Sequence, residues 1–290
     1  MKKILVTGAS GLIGSNLIKN LSSEYQVYAI THNNKISRAD FSLNIDLSKP
    51  FDNSELPKGI DTIIHLAQSK HYKEFPKHSE DIFSVNIEST FRLLNYARET
   101  NVKNFILASS GGVYGNTHKV ISEETAIKTD NELGFYIGSK LCAEVLAEAY
   151  KDYMNIIILR FFFVYGKGQK DQMLIPRIIE SIENEKKITL QGEEGLIINP
   201  IHISDAINAI RNAIKLNSSE KINIAGPDNI SLKKIALTAA KFIGKKPIFA
   251  STEIKENNML IGDIMKMKNL LFCPKIKFEQ GIKKYLEKMK

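Results

Sequence analysis

The chain has 290 residues, of which 43% are hydrophobic and 25% are charged, and its formal net charge is +8. This composition is that of a globular protein, and the length suggests one large domain with a smaller appended lobe. No segment approaches the run of about 20 apolar residues that a membrane-spanning helix needs, so we expect a cytoplasmic protein without membrane contact.

The positive charge is spread along the whole chain. Lysines occur in nearly every segment, and no basic run alternates with aromatic residues, which argues against nucleic acid as a partner. The two cysteines, Cys142 and Cys273, are far apart and lack the spacing of metal ligands. We therefore expect neither a disulfide nor a metal site.

The first half of the chain alternates β-branched runs with amphipathic segments, which is typical of βαβ units. Helices are predicted from Ile13 through Leu21 and over residues 82–98 and 139–153. The predicted strands cover residues 3–7, 26–31, 42–46, 62–66, 104–109 and 156–161.

After Gly166 the alternation loosens. Pro176 opens a helix, residues 187–191 form a short strand, and residues 222–225 form a late strand that rejoins the main sheet. The sequence therefore predicts an α/β fold: a Rossmann-like, doubly wound parallel sheet with a smaller C-terminal substrate-binding lobe. The predicted domains are 1–165, to which 201–226 returns, for NAD(P), and 166–200 with 227–290 for the substrate.

A glycine-rich turn follows the first strand directly. Gly8, Gly11 and Gly14 have GxxGxxG spacing across the start of the first helix. Gly8 allows a tight turn, Gly11 lets backbone amides approach a pyrophosphate, and Gly14 lets the helix lie close to the strand. This context predicts a dinucleotide site.

The end of the second strand carries no carboxylate. In many dinucleotide-binding folds an acid about 20 residues after the glycines binds the ribose 2′-hydroxyl of NAD. Here the chain reads His32-Asn33-Asn34-Lys35, and Arg38 follows. The missing acid favours NADP as cofactor, with NAD held by the backbone as the alternative.

Tyr136 and Lys140 lie four residues apart at the start of a predicted helix, so their side chains share one face. A tyrosine can exchange the proton of a hydroxyl that is being oxidised, provided that nearby positive charge lowers its pKa. Lys140 can supply that charge. A serine at the end of the fifth strand, Ser109 or Ser110, can orient the substrate oxygen.

With these motifs, the chain resembles the extended short-chain dehydrogenase/reductases, specifically their nucleotide-sugar epimerase/dehydratase branch. Further shared motifs are His65-Leu66-Ala67, Val85-Asn86-Ile87, Ser109 to Gly115 and Arg160 to Gly166. The resemblance implies that Ser110, Tyr136 and Lys140 are catalytic, with Lys140 also on the nicotinamide ribose. The cofactor contacts that we predict are Gly8, Gly11, Leu12, Ile13, Gly14, His32, Asp46, Leu47, Leu66 and Ala67.

Three departures from the family pattern concern the substrate. Gly111-Gly112 replaces the acid pair of the 4,6-dehydratases, so dehydration is not expected. Phe163 stands where many members have asparagine, and Ile198-Asn199-Pro200 stands where an arginine often holds the diphosphate. We therefore predict Phe163 and Arg177, together with Ser110 and Tyr136, as substrate-binding residues.

The leading hypothesis is epimerisation at C4 of a nucleotide sugar. An NADPH-dependent nucleotide-sugar 4-ketoreductase is one alternative, and a non-catalytic dinucleotide-binding sensor or scaffold is another. The family likeness also implies a homodimer formed through two long helices, roughly residues 79–98 and 138–153. His65, which lies in an apolar strand, is expected to be packed rather than catalytic.

Overall fold

The computed structural model describes residues 1–32, 38–115, 117–129, 133–252 and 258–287. The strands of these residues, numbered along the chain, are β1 (Lys3–Thr7), β2 (Gln26–Thr31), β3 (Phe41–Asn44), β4 (Thr62–His65), β5 (Asn104–Ser110), β6 (Asn155–Phe161), β7 (Lys187–Gln191), β8 (Ile197–Ile198), β9 (Glu220–Ile224), β10 (Ile230–Ser231), β11 (Ile248–Thr252) and β12 (Met259–Leu260).

The α-helices lie between the strands and at the C-terminal end of the described chain. They are α1 (Leu12–Leu21), α2 (Ser79–Phe83), α3 (Ser89–Glu99), α4 (Gly134–Glu148), α5 (Leu174–Glu183), α6 (Ile203–Ala213), α7 (Leu232–Ile243), α8 (Met265–Leu270) and α9 (Phe278–Glu287). None of the described helices combines the length and apolarity needed to span a bilayer.

Within the described residues, seven strands form the main sheet in the order β3-β2-β1-β4-β5-β6-β9. The pairs β2–β3, β1–β2, β1–β4 and β4–β5 are parallel. Every residue of β4 is buried, as expected where helices cover both faces of a parallel sheet. The predicted Rossmann-like fold is confirmed, and the late strand does rejoin the sheet, as β9 beside β6.

Two predicted boundaries differ from the structure for local reasons. β3 ends at Asn44 rather than at Asp46, because the Asp46 carboxylate accepts hydrogen bonds from the Ser48 amide (3.0 Å) and hydroxyl (2.7 Å) and so forms a turn. The long helix predicted over residues 82–98 is divided by a π-helical turn, Ser84–Glu88, between α2 and α3.

Helix α4 begins five residues before its predicted start. Gly134 opens the helix with a φ of 69°, a left-handed conformation that glycine adopts without strain. The helix ends at Glu148, and turns follow, in which the Tyr150 amide donates to the Ala147 carbonyl. Tyr136 therefore lies in the first turn of α4.

The chain forms two compact units. The first comprises Met1–Val113, Thr129–Arg160 and Ile207–Ile222, and the second comprises Tyr114–Lys128, Phe161–Ala206 and Asn223–Lys290. In the second unit, α5, α7 and α9 pack around an isoleucine-rich core, and β10-β8-β12 and β11-β7 form two small sheets. The bounds of these units differ from those of the two predicted domains. The division into a cofactor domain and a substrate domain stays a prediction.

Candidate active site

The glycine turn between β1 and α1 is tightly packed in the first unit. Gly8 has a φ of 64°, and a Cβ there would lie 2.7 Å from the carbonyl carbon of Leu66. A Cβ on Gly14 would lie 2.3 Å from the Gly8 oxygen, so only glycine lets the helix approach its own turn. Gly11 is the N-cap of α1 and has no side chain to cover the first-turn amides, which include those of Leu12 and Ile13. This is a ready anion-binding site.

Tyr136 and Lys140 have contrasting environments on α4. The Tyr136 hydroxyl donates to Gln68 Oε1 (3.1 Å), and its ring contacts Tyr72 at 4.8 Å between centroids. Burial raises the pKa of the Tyr136 phenol above its ordinary value, and Tyr72 adds to this effect. In this environment Tyr136 is a proton donor at neutral pH unless further positive charge is brought beside it.

Lys140 is buried, and its Nζ donates to the Ala108 carbonyl at the end of β5 (3.1 Å). Burial lowers the pKa of Lys140 to about 8, although the neighbouring Glu144 acts in the opposite direction. The ammonium is therefore mostly protonated at pH 7 and loses its charge as the pH rises through 8.

The two serines at the end of β5 point to different partners, because successive side chains of a strand lie on opposite faces. The Ser109 hydroxyl donates to Glu144, whose carboxylate also pairs with Arg160 Nη2 at 2.6 Å in the protein interior. Ser110 Oγ accepts the Gly112 amide (3.1 Å), and no described residue accepts its proton. The Ser109 hydroxyl therefore bonds within the protein core, whereas the Ser110 hydroxyl can donate a hydrogen bond to a ligand.

Gly112 lies close to Ser110, at the end of β5, and to Ile137, which follows Tyr136 on α4. A Cβ there would come within 2.6 Å of Ile137 Cδ1 and 3.2 Å of Ser110 Oγ. An acidic side chain at this position would have to displace Ile137, the neighbour of Tyr136. The geometry accordingly agrees with the absence of the acid pair of the dehydratases.

The segment after β4 holds two residues that sequence analysis missed, Gln68 and Tyr72. It is fixed by Asn86, whose Oδ1 accepts the Ser69 amide (2.9 Å) and whose Nδ2 donates to Ser139 Oγ (2.8 Å) on α4. In the sequence, the feature that pointed to this segment was Asn86, which belongs to the motif Val85-Asn86-Ile87 shared with the family. The network positions Gln68 against the Tyr136 hydroxyl.

His65 is packed within this part of the sheet. Its Nδ1 lies 2.7 Å from Thr7 Oγ1 and its Nε2 lies 3.0 Å from Thr90 Oγ1. Burial lowers the pKa of His65 to about 3, so the ring is neutral. Because the Thr90 hydroxyl already donates to the Asn86 carbonyl, Nε2 carries the ring proton and Nδ1 accepts from Thr7.

A carboxylate does lie beside the end of β2, although it does not belong to β2. The parallel pairing of β2 with β3 aligns Thr31 with Asn44 and brings Asp46 Oδ1 to 3.3 Å from His32 Nδ1. Burial raises the pKa of Asp46, but the hydrogen bonds from Ser48 and the nearby cations outweigh it, so the net pKa is lowered. Lys35, which follows β2 in the segment that lacks an acid, lies outside the described residues.

The other predicted cofactor residues are brought to the same edge of the sheet. Leu66 and Ala67 follow β4 directly and face Gly8, and the Ala67 amide donates to Thr7 Oγ1 (3.2 Å). Leu47 is buried next to Asp46. Parallel sheets bind ligands at this carboxyl edge.

The predicted substrate residues Phe163 and Arg177 belong to the second unit. Phe163 has a φ of 45°, unusual for an aromatic residue, and packs against the isoleucine-rich core. Arg177 is exposed on α5 and pairs with no described carboxylate. Asn199 exchanges two hydrogen bonds with the Gly262 backbone and is committed to the fold. The roles of Phe163 and Arg177 stay predictions.

Comparison with known proteins decides the family. A model of the NAD dependent epimerase/dehydratase family matches residues 4–225. The chain belongs to that family. This epimerase/dehydratase chain is 30% identical over 304 residues to Uncharacterized UDP-glucose epimerase YtcB of Bacillus subtilis (strain 168), and the match covers 97% of this chain and 95% of the relative.

Two solved structures resemble this epimerase/dehydratase family member over nearly its whole length. UDP-glucuronic acid 4-epimerase from Bacillus cereus, in complex with UDP-glucuronic acid and NAD, is 27% identical with a TM-score of 0.85, covering 99% of this chain and 100% of that one. MoeE5 with UDP-glucuronic acid and NAD is 26% identical with a TM-score of 0.84, covering 98% of each chain. Both hold NAD, so the expectation of NADP is not supported.

Proposed function

We propose that this protein is an NAD-dependent C4 epimerase of a nucleotide sugar, with a UDP-sugar as substrate. The observation that carries the proposal is the arrangement at the carboxyl edge of the sheet. Tyr136, held by Gln68, and Lys140, held by the Ala108 carbonyl, share α4, while Ser110 at the end of β5 keeps its hydroxyl proton free. The solved relatives with UDP-sugars and NAD support the same chemistry.

The described residues fit a dinucleotide, and the fit favours NAD over NADP. The first-turn amides of α1, open above Gly11, suit a pyrophosphate. Asp46 places a negative charge beside His32, at the end of β2 where the adenosine ribose of such folds is bound. A carboxylate accepts a hydrogen bond from a 2′-hydroxyl and repels a 2′-phosphate.

The residues of the chain divide the chemistry between them. Ser110 donates a hydrogen bond to the C4 oxygen and orients it, and ionised Tyr136 accepts the proton of that hydroxyl as the C–H bond is broken. NAD⁺, when bound, would accept the hydride, and the NADH so formed would return it to the opposite face of the sugar. Lys140 would favour the ionised phenol by its charge and would be the residue that holds the nicotinamide ribose. Tyr136 then gives the proton back.

Two features favour epimerisation over the neighbouring reactions. Gly111-Gly112 supplies no acid for elimination across C5–C6, and a side chain at Gly112 would collide with Ile137. The site keeps both Tyr136 and Lys140, which a purely structural dinucleotide-binding protein does not need. A 4-ketoreductase would use the same residues, so an experiment is needed to distinguish it from an epimerase.

The deciding experiment incubates the purified protein with C4-deuterated UDP-glucose or UDP-glucuronic acid, without added cofactor, and follows the sugar protons by NMR. An epimerase yields the C4 epimer with deuterium retained at C4, because the label leaves and returns within one active site. NAD released on denaturation identifies the cofactor.

Other outcomes point elsewhere. Stoichiometric oxidation of added NADPH by a 4-keto sugar, with no epimer formed, would establish the ketoreductase. Dinucleotide binding without turnover of any of these sugars would indicate a sensor or scaffold. Failure to bind any dinucleotide would overturn the proposal altogether.

We also propose that the protein is a homodimer, through an exposed apolar face on the helices of the first unit. The segment from α2 to α3 exposes Phe83 (49%) and Phe91 (46%), and it packs beside α4, which exposes Val145 (64%) and the free thiol of Cys142. Large apolar side chains clustered on neighbouring helices are typical of an isologous interface.

The Val145→Glu variant tests the dimer. A carboxylate on this face would be desolvated on association, so we expect sedimentation velocity to give a dimer for the wild type and a monomer for Val145→Glu. Leu237→Glu is the matched control, because Leu237 is an equally apolar residue, 45% exposed on α7. A dimer in both variants would rule out this face.

The cytoplasm is the proposed location. Cys142 and Cys273 are both exposed and free. Exposed unpaired thiols persist in reducing compartments, which supports this location.

A further inference from the structure

Three ionisable side chains converge in the segment between β4 and α2, outside the residues to which the proposed reaction assigns a role. His71 Nδ1 lies 3.0 Å from Glu74 Oε1, and His78 Nε2 lies 3.2 Å from Glu74 Oε2. The two imidazole rings stack at 3.9 Å with an angle of 9°. All three donor atoms lie within 4.8 Å of one another.

The backbone presents these side chains on one face. The Glu74 amide donates to the His71 carbonyl (2.8 Å) and the His78 amide to the Glu74 carbonyl (3.0 Å), so two successive hydrogen-bonded turns join the three residues. The start of the segment is anchored as well, since the His71 amide donates to Ser69 Oγ (3.0 Å). The cluster is therefore presented by an ordered backbone.

The spacing of the donor atoms suits a small cation. Ligand atoms about 2.0–2.2 Å from a tetrahedral Zn²⁺ are about 3.3–3.6 Å apart. One carboxylate oxygen and the two imidazole nitrogens lie within 4.8 Å of one another. Rotation of the two rings out of their stacked arrangement would bring these atoms to three corners of a tetrahedron, with water as the fourth ligand.

We propose that His71, Glu74 and His78 bind one divalent transition-metal ion per chain, of the zinc type. Two imidazoles with one carboxylate suit Zn²⁺ and Co²⁺, whereas Mg²⁺ and Ca²⁺ prefer sets of oxygen ligands. The expectation of no metal site concerned Cys142 and Cys273, and neither of them is a ligand in this proposal.

The site adjoins the catalytic tyrosine. Tyr72, between the ligands His71 and Glu74, packs on the Tyr136 ring, and Phe75 stacks on Phe135 at 4.8 Å. A bound ion would fix the conformation of residues 71–78, which include Tyr72 and Phe75 and so supply both ring contacts. The ion has a positioning role in this proposal and takes no part in the reaction.

Calorimetric titration of the untagged protein with Zn²⁺ at pH 7.5 tests the proposal, and Co²⁺ absorption in the visible region reports the ligand geometry. We expect one ion per wild-type chain and affinity lower by about tenfold or more in His71→Gln and in His78→Gln. Binding should release protons and weaken at pH 5.5, because the metal requires neutral imidazoles.

His118→Gln is the matched control, since it removes an exposed histidine of the second unit and should leave the affinity unchanged. Circular dichroism would verify that each variant is folded. The proposal is overturned if wild type takes up no ion, or if His71→Gln and His78→Gln bind Zn²⁺ as tightly as wild type.

Discussion

Replacing Tyr136 by phenylalanine is expected to lower the rate of epimerisation by about 10²–10⁴-fold, the usual contribution of a general acid–base group. The substitution removes the one ionisable atom that Gln68 holds, and it keeps the ring that packs on Tyr72. Binding of NAD and the unfolding transition should change little. Turnover measured by NMR, together with the dinucleotide content of the purified variant, checks both parts.

Tyr153→Phe is the control, because it removes the same atom from a tyrosine that is 65% exposed beyond the end of α4. Its rate should equal that of wild type. If Tyr136→Phe kept more than about a tenth of the activity, another group would be moving the proton, and the role given to Tyr136 would be wrong.

Glu144→Ala is expected to cause the largest loss of stability, about 3–5 kcal/mol in the free energy of unfolding. The carboxylate is buried and receives three hydrogen bonds from the Arg160 guanidinium and one from the Ser109 hydroxyl. Truncation removes the carboxylate that pairs with the buried Arg160 guanidinium. Urea unfolding monitored by circular dichroism measures the effect.

Two further variants distinguish the effect of the buried Glu144–Arg160 pair on the free energy of unfolding from that of an exposed ion pair. Glu180→Ala breaks the exposed bridge to Lys186 and should lower the free energy of unfolding far less than Glu144→Ala does. The double variant Glu144→Met with Arg160→Met should recover more than half of the loss, because neither charge is left alone. A loss from Glu144→Ala no larger than that from Glu180→Ala would contradict this account.

Features set by local pattern were predicted from the sequence. Strands β1 and β2 agree with their predicted bounds because their apolar runs end at turn residues. The pairing of Tyr136 with Lys140 on one helix face needed only their spacing. The start of α4 at Gly134 was missed, because a left-handed glycine opens that helix and no side-chain cap marks its start.

Features that depend on distant pairing were out of reach. Gln68 and Tyr136 are 68 residues apart, and nothing local to either indicates the contact. The residues alone left Ser109 and Ser110 open, and the family resemblance favoured Ser110. Which face of β5 meets Glu144 follows only from the structure. The expectation of NADP is not supported. It was drawn from the residues that follow β2, and the position of Asp46 beside the end of β2 follows only from the pairing of β2 with β3.

Helix α4 has little freedom to change its length. Tyr136, Lys140, Glu144 and Glu148 recur every four residues, so one stripe carries the proposed catalytic pair, the buried partner of Arg160 and the partner of Lys221. Inserting or deleting one residue rotates everything beyond it by about 100°. Such a change between Tyr136 and Glu144 would turn the acid–base group away from the site or the carboxylate away from Arg160. In homologous sequences, insertions and deletions should therefore be confined to the loops that flank the helix.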